Sequence, residues 1–519
     1  MRSTFMGLET AKRSLFTQQA ALQTTGHNVA NANTAGYSRQ TVNMNATRPM
    51  EAPGMMRSGI PGQLGTGVEF SSITRIRESF LDSQFRNEAQ GQGAWSVRAD
   101  TLEKLETIVN EPSDSGLRSV LDKFWNAWHD LSENPEDLTA RKLVRESAIS
   151  LTDAFNQTST QLENLKSDLS ENIGIKVAQM NTSIQSIANL TDQIRRIESL
   201  GDNANDLRDQ RDLLVDELSK VANISVQETP AGYQVSMGAQ VLVANGTPTL
   251  MTEEGIQASF GGDLTGGELF GMIVSRDQYV SDYQQQLDTL IKGIVEGEVK
   301  VTIPAGAVLP EGTVLDGVTY SDSARTLKSA VTVTVNGLNG LHQLGYTSKD
   351  PLAAAGKFFV SKDGSPLTAS NIRVSPDIMA DAANIASSMR TTMVGSTESV
   401  VKGNKDLAML IAQFNDTKIN FNSVSSTATA VPGNLNDYFR SMVGQLGVQT
   451  QEAHRQAENA KTVVEQVDGR RQSVSGVSLD EEMANMIKFQ HAYNAAARFM
   501  TTIDQVLDRI INSTGVVGR

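Results

Sequence analysis

The sequence predicts a multidomain, mainly α chain with inserted β domains: terminal coiled-coil helices, a long antiparallel helical bundle and a β-rich outer insertion. Three observations carry that prediction. Apolar residues step by threes and fours at both ends of the chain and through long central stretches, the period of a helix face. Near residues 224–260 and 298–376 the period falls to two and Gly and Pro mark turns, as in hairpins. At 519 residues the chain also exceeds what one hydrophobic core serves, so two to four domains are expected.

Composition narrows the chemistry. Cys 0 excludes disulfides, thiolate metal sites and cysteine nucleophiles together. The histidines form no HxxxH or HxH pair, and no GxxxxGK[ST], GxSxG or HExxH appears, so no metal, cofactor or enzymatic activity is expected. A net charge of −14 and a pI near 5.0 argue against a nucleic-acid surface. MRSTFMGLET lacks the apolar core of a secretory signal and no apolar run is long enough to span a bilayer, so neither Sec export nor membrane insertion is expected. His129–Asp130, the nearest thing to a catalytic pair, reads as a solvated pair on a helix. Trp95, Trp125 and Trp128 lie on or beside a helical seam and read as core rather than as a sugar platform.

The elements follow in order. Met1, Leu8, Leu15, Leu22 and Val29 recur every seven residues, with Ala11, Gln18 and Thr25 between them, which predicts a first helix with a heptad seam. Asn28, Asn31, Asn33 and Gly36 end it. Residues 41–94 read as a linker with short β pieces around Val68, Phe70 and Ile73. A helix near 95–110 stops before Pro112, and Leu117, Leu121, Phe124, Trp128 and Leu131 define the next. Asn134 and Pro135 suit the start of a third helix, running to about Leu200 with a kink or break expected near Gly174. In the helix Asp206–Ala222 the charges of LRDQRDLLVDEL read as a solvated face behind a stripe of Leu207, Leu214, Leu218 and Val221.

Strands are predicted around Val226, Tyr233, Val235 and Met237, flanking a Pro230–Ala231–Gly232 turn, and at Gln240–Val243. A helix spans Gly267–Glu296; strands follow at 299–304, 330–335, 357–360 and 372–374, and helices at 384–388, 406–414 and 434–474. Arg470–Arg471 suits a helix C-terminus. The last helix, Ser478–Ser513, opens on a Ser478/Glu481 capping box. The division expected is an assembly domain of 1–94 and 475–519, a bundle of 95–223, 266–297 and 380–474, and β-rich outer parts of 224–265 and 298–379.

Periodicity leaves two arrangements open for the chain ends: ordinary helices of the main core, or adhesive halves that order fully only when neighbours bury their remaining faces. In the second, the subunit interface is formed by Leu8, Leu15, Leu22, Val29, Asn28, Asn31, Gly36 and Tyr37 at one end. Leu479, Met483, Met486, Phe489, Tyr493, Met500, Ile503, Leu507 and Ile510 form it at the other.

Asn28–Val29–Ala30–Asn31, Asn33–Thr34 and Gly36–Tyr37 resemble the amino-terminal signature of bacterial flagellar axial proteins, with His27 where asparagine is usual. Further segments resemble one of those families, the hook-associated protein 1 family. They are Pro112–Ser113, Gly116–Leu117, Phe124–Trp125, Asn134–Pro135, Arg141 and Phe155–Asn156, then Leu207–Asp212, Gly266–Leu269, Arg276–Asp277 and Phe358–Phe359. The closing Ser475–Glu482 run with Phe489–Gln490 and Ala492–Tyr493 is the most specific. About forty residues with strands precede Asn339 and His342 where the family is more direct, which implies an enlarged β insertion. The resemblance implies a structural subunit of the hook–filament junction, exported by the flagellar type III apparatus with a dedicated chaperone and located outside the cell. Its implied partners are sister copies in a helical ring, the hook protein and the second junction protein, with no nucleic acid and no membrane. A hook or distal-rod subunit fits less well, because residues 95–223 are helical where those families enter β domains early. An enzyme or glycan-binding surface in the β insertion is a third reading.

Overall fold

The computed structural model describes residues 5–50, 64–109, 116–229, 232–421, 424 and 433–513. Met1 of the first heptad, the helix stop at Asn110–Pro112, the Pro112–Ser113 pair and the Pro230–Ala231 part of the predicted turn lie outside them.

The chain begins with α1 (Met6–Ala30), β1 (Gln40–Ala46) and β2 (Val68–Arg75), then α2 (Ser79–Val109), α3 (Leu117–Glu133), α4 (Leu138–Glu198) and α5 (Asn205–Val221). A meander of β3 (Ser225–Thr229), β4 (Gly232–Met237), β5 (Gln240–Ala244) and β6 (Thr247–Pro248) follows. Next come α6 (Glu253–Ser259), α7 (Gly267–Val274), a π-helical turn at Ser275–Val280 and α8 (Ser281–Glu296). The second β-rich stretch holds β7 (Glu298–Ile303), β8 (Thr313–Leu315), β9 (Val318–Tyr320), β10 (Val331–Asn336), the short α9 (Gly337–His342), β11 (Phe359–Ser361) and β12 (Ile372–Val374). The chain closes with α10 (Pro376–Ala380), β13 (Thr391–Val394), β14 (Thr397–Val400), α11 (Asp406–Phe414), β15 (Ile419–Asn420), α12 (Leu435–Ser475) and α13 (Leu479–Ser513). It is therefore mainly helical, with inserted β segments and a terminal helical pair, as the periodicity predicts.

Two compact units form: Met1–Trp95, Gly174–Gly271 and Ala457–Arg519 make the first, and Ser96–Ile173 with Met272–Gln456 the second. In the first unit, β1 and β2 pair antiparallel from Gln40↔Arg75 to Ala46↔Val68. The meander has strand order β3-β4-β5-β6. It is tied to α4 through the loop after β6, where Asn181 exchanges two hydrogen bonds with the Met251 backbone, at 2.8 and 2.9 Å. No break occurs at Gly174. The helix runs through it, and the missing side chain leaves room for Glu253, whose Oε1 would lie 2.6 Å from a Cβ there. The linker reading of 41–94 also fails beyond Arg75: α2 starts at Ser79, sixteen residues before the predicted start, with Phe85 and Ala89 packed on Val464 and Val467.

The second unit is centred on aromatic rings. Trp128, Phe124, Phe155, Phe358, Phe359 and Phe414 are fully buried. Phe358 and Phe359 lie edge to face at 4.8 Å between centroids, Trp128 lies 5.5 Å from Phe358, and Trp125 5.8 Å from Phe414. Such tilted pairs add to the gain from burial alone. Trp125 and Trp128 are thus core, as their spacing predicts. Beside them β7 is central in the sheet β10-β7-β15, with Val299, Val301, Ile303, Val333 and Val335 buried in alternation. Two local predictions need correction here, and one element is new. Asn134 closes α3 rather than opening α4, which begins at Leu138 with the Asp137 carboxylate accepting from Thr139 N at 2.7 Å. Residues 385–388 are an irregular strap, not a helix, and the hairpin β13–β14 beyond it, turned by Gly395 at φ +67°, was unforeseen.

Candidate assembly interface

Helices α1 and α13 pack antiparallel. A Cβ at Gly7 would stand 3.0 Å from Ile503 Cδ1, and at the other end Asn28 bonds Glu482; the same number of residues separates the two contacts on either helix. The fully buried face of α1 is small and polar: Ala11, Thr17, Ala21, Thr24, Thr25 and Asn28. Thr10 and Thr17 reach the carbonyls of Thr66 and Val68, each at 3.4 Å, which seats that face on the β1–β2 hairpin. Leu8, Leu15, Leu22 and Val29, expected along the seam, are half-buried.

On α13, Leu507 is buried, and Met486, Phe489, Tyr493, Met500 and Ile503 are half-buried. Leu8 and Leu507 line one cleft. Leu479, Met483 and Ile510 are exposed, and so are Ile487, Phe499, Val506 and Ile511, which the heptad reading left out. One helix pair thus satisfies only part of the apolar surface that α13 carries.

A polar knot fixes the register. Asn28, 1% exposed, uses its amide fully: Nδ2 donates to Gln40 O at 2.9 Å and to Glu482 Oε2 at 3.0 Å, while Oδ1 accepts from Gln40 N at 3.0 Å and from the Tyr37 hydroxyl at 2.8 Å. Glu482, also buried, takes Arg39 Nε at 2.8 Å, and Arg39 reaches Glu481 at 2.7 Å. That last bond draws Glu481 away from the predicted capping box, of which a 3.5 Å contact from its own N–H to Ser478 Oγ remains. His27 Nδ1 lies 3.0 Å from the Tyr37 hydroxyl. Burial, and then Asp206, Asp209 and Glu482, raise the Tyr37 phenol well above its ordinary pKa, so it stays a donor. Asn31 folds back on His27 O at 3.1 Å, and exposed Gly36, at φ +78°, would put a Cβ 3.0 Å from Leu213. Asn28, Asn31, Gly36 and Tyr37 therefore sit together around the exit of α1. Glu482, from the closing Ser475–Glu482 run, completes the knot with Arg39 and Gln40, contacts that local sequence does not show.

The knot continues into α5, and here the solvated-face reading is wrong. Asp209, Arg211, Asp212 and Asp216 are buried, because four arginines distant in sequence neutralise the carboxylates. Arg75 pairs Asp209 at 2.6 Å and Asp212 at 3.0 Å; Arg77 pairs Asp82 at 2.7 Å; Arg86 pairs Asp216 at 2.7 Å, and Arg471 closes on Asp216 as well. Asp209 also accepts from Ser38 N at 2.9 Å, and Asp206 from Gln40 Nε2 at 2.7 Å. Burial alone would raise Asp212, but Arg77, Arg75, Arg211 and Arg86 outweigh it and hold its carboxyl below the ordinary range. At Asp209 burial wins over Ser38 and Arg75, and the carboxyl is raised. Arg471 thus belongs to this ladder and to the ring of Phe85, 4.0 Å away, rather than to the end of its own helix.

Among the described residues no group of three His, Cys, Asp or Glu side chains is placed to hold a metal, and no helix is long and apolar enough to cross a membrane.

Comparison with known proteins agrees with this architecture. Residues 102–298 match the flagellar hook-associated protein FlgK helical domain, residues 8–37 the flagella basal body rod protein model, and residues 470–513 the flagellar basal body rod FlgEFG protein C-terminal model. The last two coincide with α1 and α13 and with the polar knot between them. A solved structure of the flagellar hook junction protein FlgK from Burkholderia pseudomallei shares the fold, with a TM-score of 0.52 at 13% identity over 76% of this chain and 100% of that one. Flagellar hook-associated protein 1 of Escherichia coli K12 is 25% identical over 97% of this chain and 99% of its own. The protein of the same name from Bacillus subtilis strain 168 is 35% identical over 100% of both chains. An end-to-end match at that identity, on a chain with this pairing of termini, establishes that it belongs to the flagellar hook-associated protein 1 family.

Proposed function

We propose that the chain is a structural subunit of the bacterial flagellum that joins hook to filament, and that α1 with α13 forms its subunit interface. The observation that carries this reading is the apolar surface that α13 leaves in water: Met483, Ile487, Phe499 and Val506 are 45–59% exposed on a well-formed helix. Apolar side chains left in water along a helix mark a surface that another element covers, and the rod-protein similarity of both end segments supports sister subunits as that element. The role is mechanical, and the chain acts without catalysis or cofactor.

The division of labour proposed is that of the sequence reading: 1–94 with 475–519 for assembly, 95–223, 266–297 and 380–474 as the bundle, and 224–265 and 298–379 as outer β parts. Delivery through the flagellar type III channel with a chaperone, a position outside the cell, a ring of sister copies, and contacts to the hook protein and the second junction protein complete the proposal. Deleting residues 479–513 tests it. The truncated chain is expected to fold its second unit and fail to restore filaments to a strain lacking the full-length gene; restored filaments would refute the interface.

A further inference from the structure

We propose that His342 is an acid-released latch, holding the strap Ile385–Ser388 and the β13–β14 hairpin that follows it onto the second unit. The ring is wholly buried on α9, with Nδ1 2.7 Å from Gly356 O and Nε2 3.0 Å from Ala386 N. A carbonyl only accepts and a backbone N–H only donates. The two partners therefore fix the neutral ring with its proton on Nδ1 and a lone pair on Nε2.

The strap is held at three consecutive residues by two side chains. Arg141 of α4 donates to Ile385 O and, at 2.7 Å, to Ser387 Oγ and Pro135 O, while His342 takes the N–H between them. Beyond this point Tyr346 N bonds Ser388 O at 3.1 Å, Arg390 pairs Asp406 at 2.9 Å, and the hairpin begins.

A second proton would turn Nε2 from acceptor into donor and set it against the Ala386 N–H, in a buried site that already holds the Arg141 cation. Neither α9 nor the strap carries another titratable side chain; Asp406 on α11 is taken by Arg390, and Lys357 beside Gly356 is exposed. On α8, which packs on α9, Asp288 accepts from Ala369 N at 2.7 Å and Glu296 is exposed, so among the described residues none of these carboxylates compensates the ring. Burial first, with Arg141 adding to it, lowers the ring's pKa from 6.5 to about 4, against the smaller upward pull of the Gly356 carbonyl.

The sign follows. A histidine with depressed folded pKa contributes its full stabilisation above pH 6.5 and loses it as pH falls toward 4, with strap opening favoured about tenfold per unit over that window. Amide exchange on the full-length protein between pH 7.5 and 4.5 tests the latch, after correction for intrinsic rates. Opening of Ala386 and of 391–400 is expected to rise by about 30-fold or more, while β7 amides stay protected. The variant His342→Gln should abolish that pH dependence, and His129→Gln should leave it intact. Because the His342 variant risks misfolding, the wild-type imidazole is also read by nitrogen NMR: an Nδ1–H tautomer persisting to about pH 4 is expected. Unchanged opening of the strap, or an imidazole titrating near 6.5, would overturn the proposal.

Discussion

Replacing Asn28 by alanine is the sharpest perturbation of the terminal pair. The change removes four hydrogen bonds, to Gln40 N, Gln40 O, the Tyr37 hydroxyl and Glu482. Neutral bonds contribute about 1 kcal/mol each and the one to a carboxylate about 2, a gross loss of about 5 kcal/mol. Part is recovered, since Tyr37 keeps His27 at 3.0 Å and Glu482 keeps Arg39 at 2.8 Å. The net cost should be about 3 kcal/mol, which is local opening increased on the order of 100-fold. A chain of several domains has no single unfolding free energy, so the assay is local: amide exchange resolved to peptides covering 20–30 and 479–490. Asn33→Ala, at an exposed position, is the matched control and should change exchange by less than about twofold. An Asn28→Ala effect below about fivefold would falsify the idea that this knot sets the register of the two helices.

Other perturbations give distinct readouts. Asp216→Asn takes from Arg86 its 2.7 Å partner and leaves it Asp212 at 3.7 Å, while Arg471 keeps Asp468 at 2.8 Å, so the loss in urea unfolding of the first unit should be about 2–3 kcal/mol, short of that for a fully unpaired buried charge. Acid should add to this below about pH 4: the depressed carboxyl of Asp212 contributes stability that disappears as pH falls through its folded value, while the raised Asp209 works in the opposite direction. The variant Asp212→Asn should flatten that limb of the pH profile. Trp128→Ala should cost about 3–5 kcal/mol in the second unit and collapse the near-ultraviolet dichroism, whereas Trp128→Phe, which also removes an indole N–H that finds no partner, should cost much less. Gly36→Ala forces a Cβ into positive φ and against Leu213, and should destabilise the knot by about 1–2 kcal/mol in the same exchange assay.

What the sequence made legible follows from where the forces are local. Helix α11 falls at Asp406–Phe414 as predicted, and α12 is within a residue of its expected bounds, because apolar spacing alone specifies them. Helix α2 was foreseen only from Trp95 onward. Its first half is poor in apolar residues and carries Gly91 and Gly93, and it is held by Arg86–Asp216 and the Phe85 contact with α12, partners that a local window does not see. The same blindness made α5 look solvated: its acids are matched by Arg75, Arg77, Arg86 and Arg471 from other elements. A clue existed in the clustered arginines 75, 77 and 86, which lie in an acidic chain and outside any predicted helix. The asparagine signature was readable as a turn, but the buried role of Asn28 depends on Glu482, at the far end of the polypeptide. The strap at 385–388 is drawn out by Arg141 and His342, partners distant in sequence, where a helix was expected.

Whether exposed apolar residues of α13 bind sister subunits is decided by electron microscopy of cells whose single copy carries Met483→Asp, Ile487→Asp and Val506→Asp. These positions are exposed, so the purified variant should keep its fold and the stability of its first unit within about 1 kcal/mol. Hooks bearing no filaments are expected, from cells that still export the variant. Filaments of normal number and length on those hooks would contradict that binding.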